Sequence, residues 1–350
     1  MKHSGAEIEN KMIYLSIVVP VRNEEHFIFQ TLSQLVDQKY PQDRYEILVV
    51  DGMSSDNTRQ IVREFIKKHP EATCRLFENP GFLSSCARNI GARAAKGEII
   101  AFVDGHVFIP DNNLFENIEQ IINVHKAECL ARPQPLIVPT LEKGSTAYWI
   151  AAARHSWIGH STKSYIYSDY QGFVDPASSG FAYKRQLFET VGFFDETFDA
   201  AEDVEFNYRI SRFGVKAYTS PRLLIYYYPR ESYLDLFQQQ VRYGVGRARF
   251  INKHPEAFYV ETLVPPVIFL LHISLPFIIP GAIFYPLFVG PLLFVAVLYW
   301  AVLLIAGFRE AAKKQMFNGF PVALGTWITH MGLGWGFLKT APGFLWKKRT

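Results

Sequence analysis

Between Glu261 and Arg309 lie 47 residues without one Asp, Glu, Lys or Arg, and His272 is the one imidazole among them. A helix that crosses a bilayer needs about 20 apolar residues, so the run is long enough for two. The alternative is a helical hairpin buried in a soluble core, but soluble helices of that length carry a polar stripe. Pro280-Gly281 is the natural break, giving one segment over 263–280 and a second over 284–307. The uncharged stretch 315–338 is less plain. Its glycines, among them Gly325, Gly332 and Gly336, leave it open to a third span, a re-entrant segment or an interfacial helix. Arg309, Lys313 and Lys314 precede it, and Lys339, Lys347, Lys348 and Arg349 follow. Basic residues favour the cytoplasmic side, and both clusters stay there only with an even number of crossings. The expectation is a membrane hairpin over 262–308, a non-crossing membrane-associated element over 315–338 and a basic tail over 339–350.

The same boundary sorts the charge. The 350 residues carry a net +3, but seven basic residues and one acidic lie past Glu261, leaving 29 basic and 32 acidic before it. A slightly acidic soluble domain therefore precedes a basic membrane piece. With 20% charged and 15% aromatic residues, the chain is neither disordered nor a nucleic-acid-binding tail. Met12–Val21 is a short apolar run ending in Arg22-Asn23-Glu24-Glu25. It reads as a buried strand and not as a leader. The soluble domain, 13–255 after a short tail over 1–12, is thus expected in the cytoplasm, on the inner face of a membrane that the chain crosses more than once. Cys74, Cys86 and Cys129 lack metal-ligand spacing and fit reduced thiols.

Within that domain, strand patterns alternate with helical ones. Strands are predicted over 14–20, 45–50, 73–77 and 98–103, with helices over 24–37, from Ser55 or Asp56 to His69, and over 83–95. Asn23 suits the cap of the first helix. Such alternation implies an α/β fold, a mostly parallel, Rossmann-like sheet flanked by helices, which binds ligands outside the carboxyl ends of its strands. Asp51 and Asp104 fall at those ends. Past residue 130 the alternation fades, although helices are predicted over 202–213 and 231–252 and suit the acceptor side of a cleft. Neither G-x-G-x-x-G after the first strand nor a P-loop motif is present.

Six stretches, in order, carry a resemblance: SIVVPVRNEE (16–25), ILVVDGMSSDNT (47–58), ARNIGARAAKGEIIAFVDGH (87–106), SSGFAYKRQLFETVGFFDETF (178–198), AEDVEFNYRISRFG (201–214) and QQVRYGVGRAR (239–249). Together they resemble the inverting family 2 glycosyltransferases of the GT-A fold. The Asp-Gly-His form and the RYGxGRAR continuation look most like the membrane-attached succinoglycan glucosyltransferase type. The resemblance implies a nucleotide-sugar site at Pro20, Arg22, Glu24, Asp51, Arg88 and Asp104. Asp51 would recognise uracil, unless it merely holds a turn, and Arg22 is equally readable as a solvated charge. Asp104 would ligate a divalent ion, Mn²⁺ or Mg²⁺, that neutralises a departing diphosphate. His106 stands where the family has a second Asp; it either joins the metal, tilting the choice to Mn²⁺, or touches phosphate or ribose. Arg88 is placed to reach base or phosphate.

Glu202-Asp203 matches the general-base pair, with Asp203 as the base and Glu202 assisting; an acidic first helical turn is the plain alternative. Gln239, Arg242 and Tyr243 match Q-x-x-R-W with Tyr for Trp and, with Ser179 and Gly180, would face diphosphate and acceptor. Arg247 and Arg249 either bind a lipid phosphate or simply attract anionic head groups. The implied activity moves a hexose from a nucleotide-diphosphate sugar, UDP-glucose first, to a polyprenyl-linked saccharide in cell-surface polysaccharide or glycan synthesis. A polyprenyl-phosphate sugar synthase, a processive synthase and a non-catalytic membrane scaffold stand as alternatives.

Overall fold

The computed structural model describes residues 15–160 and 164–340; the tail 1–12 and, from the basic tail, Lys347, Lys348 and Arg349 lie outside the described residues. The first half runs β1 (Leu15–Val21), α1 (Ile28–Val36), β2 (Tyr45–Asp51), α2 (Thr58–Lys68), β3 (Cys74–Glu78), α3 (Ser84–Ala94), β4 (Ile99–Phe102), β5 (Val107–Phe108), α4 (Leu114–His125) and β6 (Cys129–Ala131). The second adds α5 (Thr146–His155), β7 (Gly172–Val174), β8 (Gly180–Lys184), α6 (Gln186–Val191), α7 (Glu202–Arg212), β9 (Ala217–Thr219), β10 (Tyr226–Tyr227) and α8 (Tyr233–Lys253). The C-terminal helices are α9 (Val264–Ile273), α10 (Leu275–Phe284), α11 (Pro286–Lys313) and α12 (Phe320–Thr340).

Eight strands form one sheet in the order β3-β2-β1-β4-β8-β6-β9-β7. β1, β2, β3 and β4 pair in parallel, as does β6 with β9, whereas β8 runs antiparallel to both β4 and β6, and β7 to β9. The parallel part is therefore the first half. β1 and β2 are buried at every position, which is why LSIVVPV and YEILVVD read as unbroken apolar runs and not as alternating ones. Leu15, Ile17, Val19 and Val21 pack on one face under α1, α2 and α4, while Val18 belongs to the opposite core with α3, α6 and α7. Glu46 and Asp51 are the buried carboxylates inside β2, and Glu46 lies near its start. The Glu46 carboxylate accepts from Ser16 Oγ at 2.7 Å, Lys96 N at 2.6 Å and Arg75 Nη2 at 2.6 Å. This satisfied network sits at the amino ends of the strands, away from Asp51 and Asp104.

Two expectations are corrected. Asn23 does not cap α1, which begins at Ile28; it adopts φ 57° and its Oδ1 accepts from Ser55 N at 2.9 Å, tying the first loop to the second. Nor does the apolar run break at Pro280-Gly281. Pro280 lies inside α10, and the chain instead bends by 63° between α9 and α10 and breaks again at Tyr285. At Ser274 the hydroxyl bonds back to Leu270 O at 2.8 Å, and Pro276, two residues on, disfavours helical geometry just before it. α11 is the one helix among the described residues long and apolar enough to cross a membrane, and the bent α9–α10 pair passes the same test together. Leu287, Phe288 and Phe294 stand exposed on α11.

The stretch 315–338 supplies α12, which packs along α8, α9 and α5. Its glycines explain how closely. A Cβ at Gly336 would lie 2.0 Å from Val241 O, and one at Gly332 2.6 Å from Gln240 Cβ. Small residues four apart let two helix backbones meet, so α12 is seated directly on α8.

Candidate active site

The site grows from the loops that leave β1, β2 and β4. β1 and β2 end in register, Val21 opposite Asp51, so their following loops emerge side by side and are laced together. Asn23 N donates to Ser54 Oγ (2.9 Å), Glu24 N to Thr58 Oγ1 (2.7 Å) and Asn57 N to Glu25 Oε2 (3.1 Å). Asp51 is fully buried and accepts from Ser54 N at 3.1 Å and Ser54 Oγ at 2.5 Å, with Arg59 Nε 3.5 Å away. In this structure its carboxylate holds the turn. Pro20 is buried within β1, and Arg22 is exposed with its guanidinium over the Phe82 ring at 5.1 Å.

The β4 loop carries Asp104-Gly105-His106, and Thr31 Oγ of α1 anchors it by donating to Gly105 O at 2.8 Å. His106 Nδ1 lies 2.8 Å from Glu24 Oε1. Burial pulls the imidazole down, but the bond and charge of Glu24, with Asp104, hold its pKa above the ordinary value. Arg88 Nη2 bonds Asp104 Oδ1 at 3.0 Å while Arg88 Nε reaches Glu202 Oε1 at 3.3 Å. Arg88, expected at base or phosphate, is thus a bridge between two carboxylates, its guanidinium over the Phe102 ring at 5.2 Å. Burial pushes the Asp104 carboxyl up, but Arg88 and His106 hold it below its usual range. Glu202 is raised, because burial and neighbouring Asp203 outweigh Arg88.

Asp203 differs from its neighbour. It is exposed at the first turn of α7, and the one hydrogen bond to its carboxylate among the described residues comes from Val204 N at 2.8 Å. An available carboxylate oxygen beside a buried, braced carboxylate suits proton abstraction from an approaching hydroxyl.

The remaining expected residues make contacts of their own. Arg242 is exposed and pairs with Asp199, Nε to Oδ2 at 3.0 Å and Nη2 to Oδ1 at 3.1 Å. Tyr243, beside it on α8, is within electrostatic range of Asp203 and Glu202. Gln239 is half-buried on α8. Ser179 O accepts from Arg132 N at 3.2 Å, its buried hydroxyl has no partner among the described residues, and Gly180 abuts Asn207.

Three residues at the site went unnoticed in the sequence. Tyr227 donates its hydroxyl to Asp104 Oδ2, and Arg132 Nη2 bonds that hydroxyl at 3.1 Å. Arg230 lies within electrostatic range of both His106 and Tyr243 and has no hydrogen-bond or ion-pair partner among the described residues. Tyr227 arrives by tertiary pairing, since β10 runs antiparallel to β5 with Tyr227 opposite Val107. The one local signal was the tyrosine triplet 226–228 followed by Pro-Arg.

A divalent ion fits this donor set. Asp104 is ionised, and Glu24 occupies His106 Nδ1 in the carboxylate–histidine arrangement that aims the other ring nitrogen at a metal. No three His, Cys, Asp or Glu side chains converge among the described residues. An ion held partly by substrate phosphates needs only one or two protein ligands.

Comparison with known proteins accords with this geometry. A model of glycosyl transferase family 2 matches residues 16–192. A glycosyltransferase of Methanococcus voltae, whose name specifies transfer of a diacetamido-dideoxy-glucuronosyl group to dolichyl N-acetylglucosaminyl phosphate, is 27% identical over 94% of this chain and 97% of its own. A succinoglycan biosynthesis protein of Rhizobium meliloti is 25% identical over 68% and 70%. Among solved structures, a Pyrobaculum calidifontis mannosyltransferase in complex with GDP-Man and Mn²⁺ superimposes with a TM-score of 0.57 at 22% identity, covering 97% of this chain and 89% of its own, a likeness of GT-A fold.

Proposed function

The chain belongs to glycosyltransferase family 2, and from that premise we propose that it moves a hexose from a nucleotide-diphosphate sugar, UDP-glucose first, to a lipid-linked saccharide at the cytoplasmic face of a membrane. That it transfers sugar from a nucleotide sugar to a glycan or lipid-linked acceptor follows from its family and relatives. The finer reading rests on one observation: Asp203 stands exposed beside the Glu202–Arg88–Asp104 ladder. One guanidinium thereby fixes the spacing between the acceptor's base and the carboxylate that faces the donor phosphates.

Inversion is a single displacement, in which the acceptor oxygen attacks the anomeric carbon as the diphosphate leaves from the opposite face. Asp203 Oδ takes the hydroxyl proton as that bond forms. Glu202, buried and bonded to Arg88, keeps the first turn of α7 in place. Asp104 and His106 would hold a Mn²⁺ or Mg²⁺ ion, which supplies neutralising charge to the departing diphosphate. Arg230 adds a cation on the same side, and the linked loops after β1 and β2, with Asp51, form the nucleoside end. The dolichyl-linked acceptor named for the Methanococcus relative, and apolar α9–α11 beside the soluble domain, support a lipid acceptor and a multi-pass membrane location.

The test is transfer of radiolabelled hexose by full-length wild type and Asp203→Asn. Loss of a positioned base removes about 10²–10⁴-fold, so the variant should lose at least 10²-fold in kcat while donor binding survives. Equal turnover by both would remove Asp203 from the role. A product of monosaccharide on bare polyprenyl phosphate would favour the polyprenyl-phosphate synthase reading.

A further inference from the structure

Several arginines of little exposure have a carboxylate: Arg44 has Glu119, Arg88 has Asp104 and Glu202, Arg209 has Glu205. Arg154 and Arg247 have none among the described residues. Arg154, half-buried on the last turn of α5, makes one hydrogen bond among the described residues, Nη1 to Gln240 Oε1 at 3.2 Å, to a neutral amide. Arg247, exposed on α8, has no hydrogen-bond or ion-pair partner among the described residues, and it lies within electrostatic range of both Arg154 and Asp203.

Helix geometry brings them together. Gln240, Tyr243 and Arg247 follow at three- and four-residue steps and share one face of α8. Gly246, one residue before Arg247, brings α8 close to the chain that leads into α7, since a Cβ there would lie 2.4 Å from Ala200 O. The opposite wall is α12, whose His330 is within electrostatic range of Arg154. Arg249, by contrast, donates to Thr197 O at 2.9 Å, and Arg242 is spent on Asp199. Only one of the two juxtamembrane cations, Arg247, is left for an anion.

Two like charges with the single Asp203 carboxylate in range of Arg247 leave a net positive charge that an anion would offset, and guanidinium groups match phosphoryl oxygens bidentately. We propose that Arg154 and Arg247 form the subsite for the phosphoryl link between lipid and sugar in the acceptor, holding the acceptor hydroxyl at Asp203. This rests on the lipid-linked acceptor reading above. The lipid tail then leaves toward the exposed apolar faces of α9 and α11, which flank α12.

The test is steady-state kinetics of the full-length protein in detergent, with a polyprenyl diphosphate carrying one hexose as acceptor. Arg247→Gln should raise the acceptor KM at least tenfold with donor KM changed less than twofold, and Arg247→Lys should recover part of the loss. Arg154→Gln, which keeps a donor for Gln240, should behave like Arg247→Gln. Unchanged acceptor KM in both glutamine variants, with wild type active, overturns the subsite and leaves the function standing. A wild type that transfers nothing to this lipid overturns both. An equal loss of binding to phosphatidylglycerol vesicles in Arg247→Gln would assign Arg247 to general head-group attraction and also overturn the proposal.

Discussion

Replacing Arg88 by Met keeps a hydrocarbon over Phe102 and removes the charge that joins Asp104 to Glu202. The wild-type guanidinium makes two charge-assisted contacts, at 3.0 Å and 3.3 Å. Removing one partner of a buried pair costs about 3–5 kcal/mol, because the other charge is stranded. Here one carboxyl can escape by protonation: Glu202 is already raised by burial and Asp203. The lower end, about 3 kcal/mol, is therefore expected for Arg88→Met. At about 2–4 °C per kcal/mol, thermal unfolding in detergent should fall by about 6–12 °C. Glu202 also gives the loss a pH dependence. Without Arg88 its folded pKa rises further above the unfolded value, and such a carboxyl destabilises once the pH exceeds the unfolded pKa. The deficit should be larger at about pH 8 than at about pH 5. Adding Glu202→Gln replaces the stranded charge by an amide and should restore about 1 kcal/mol or more. Transfer should fall about 10²-fold, since the base and the donor side lose their fixed spacing. An Arg88→Met protein within about 1 kcal/mol of wild type, or strict additivity with Glu202→Gln, would refute the bridging argument.

Other consequences are independent of that bridge. EDTA should abolish transfer and Mn²⁺ restore it, with Asp104→Asn unresponsive to added metal; indifference of the wild type to EDTA would take Asp104 off the metal. Asp195 is held down to about 2, since bonds from Lys253 and Thr197 outweigh partial burial. A depressed carboxyl stabilises above its unfolded pKa, so the stability gap between wild type and Asp195→Asn should stand at about 1–2 kcal/mol at neutral pH. It should close as the pH falls from about 4 to about 2, and a gap that persists there contradicts the Lys253 pairing. Gly336→Val drives a side chain into Val241 O and should cost about 2 kcal/mol or more in thermal unfolding. Gly290→Ala, with open space around the site, should stay within about 1 kcal/mol, and equal effects would refute the α8–α12 contact.

The sequence by itself determined the parallel core and the apolar end. Runs such as ILVV and IIAF are buried on both sheet faces, and 47 uncharged residues have few soluble solutions. It also placed Asp51, Asp104 and Glu202-Asp203, because strand ends and helix starts are local features. What those side chains touch was not legible. Asp104 meets Arg88 from the preceding helix and Tyr227 from 123 residues downstream, and no short-range pattern records such a meeting. The same holds for the glycines of 315–338. In sequence they blur a membrane span, whereas in the fold they let α12 lie against α8. The break in the apolar run likewise fell at Ser274 and not at Pro280, because neighbouring residues decide which proline a helix can absorb. Local periodicity sets which elements form; the partners of a buried charge depend on strand order and helix packing, and those are settled only when the whole chain closes around it.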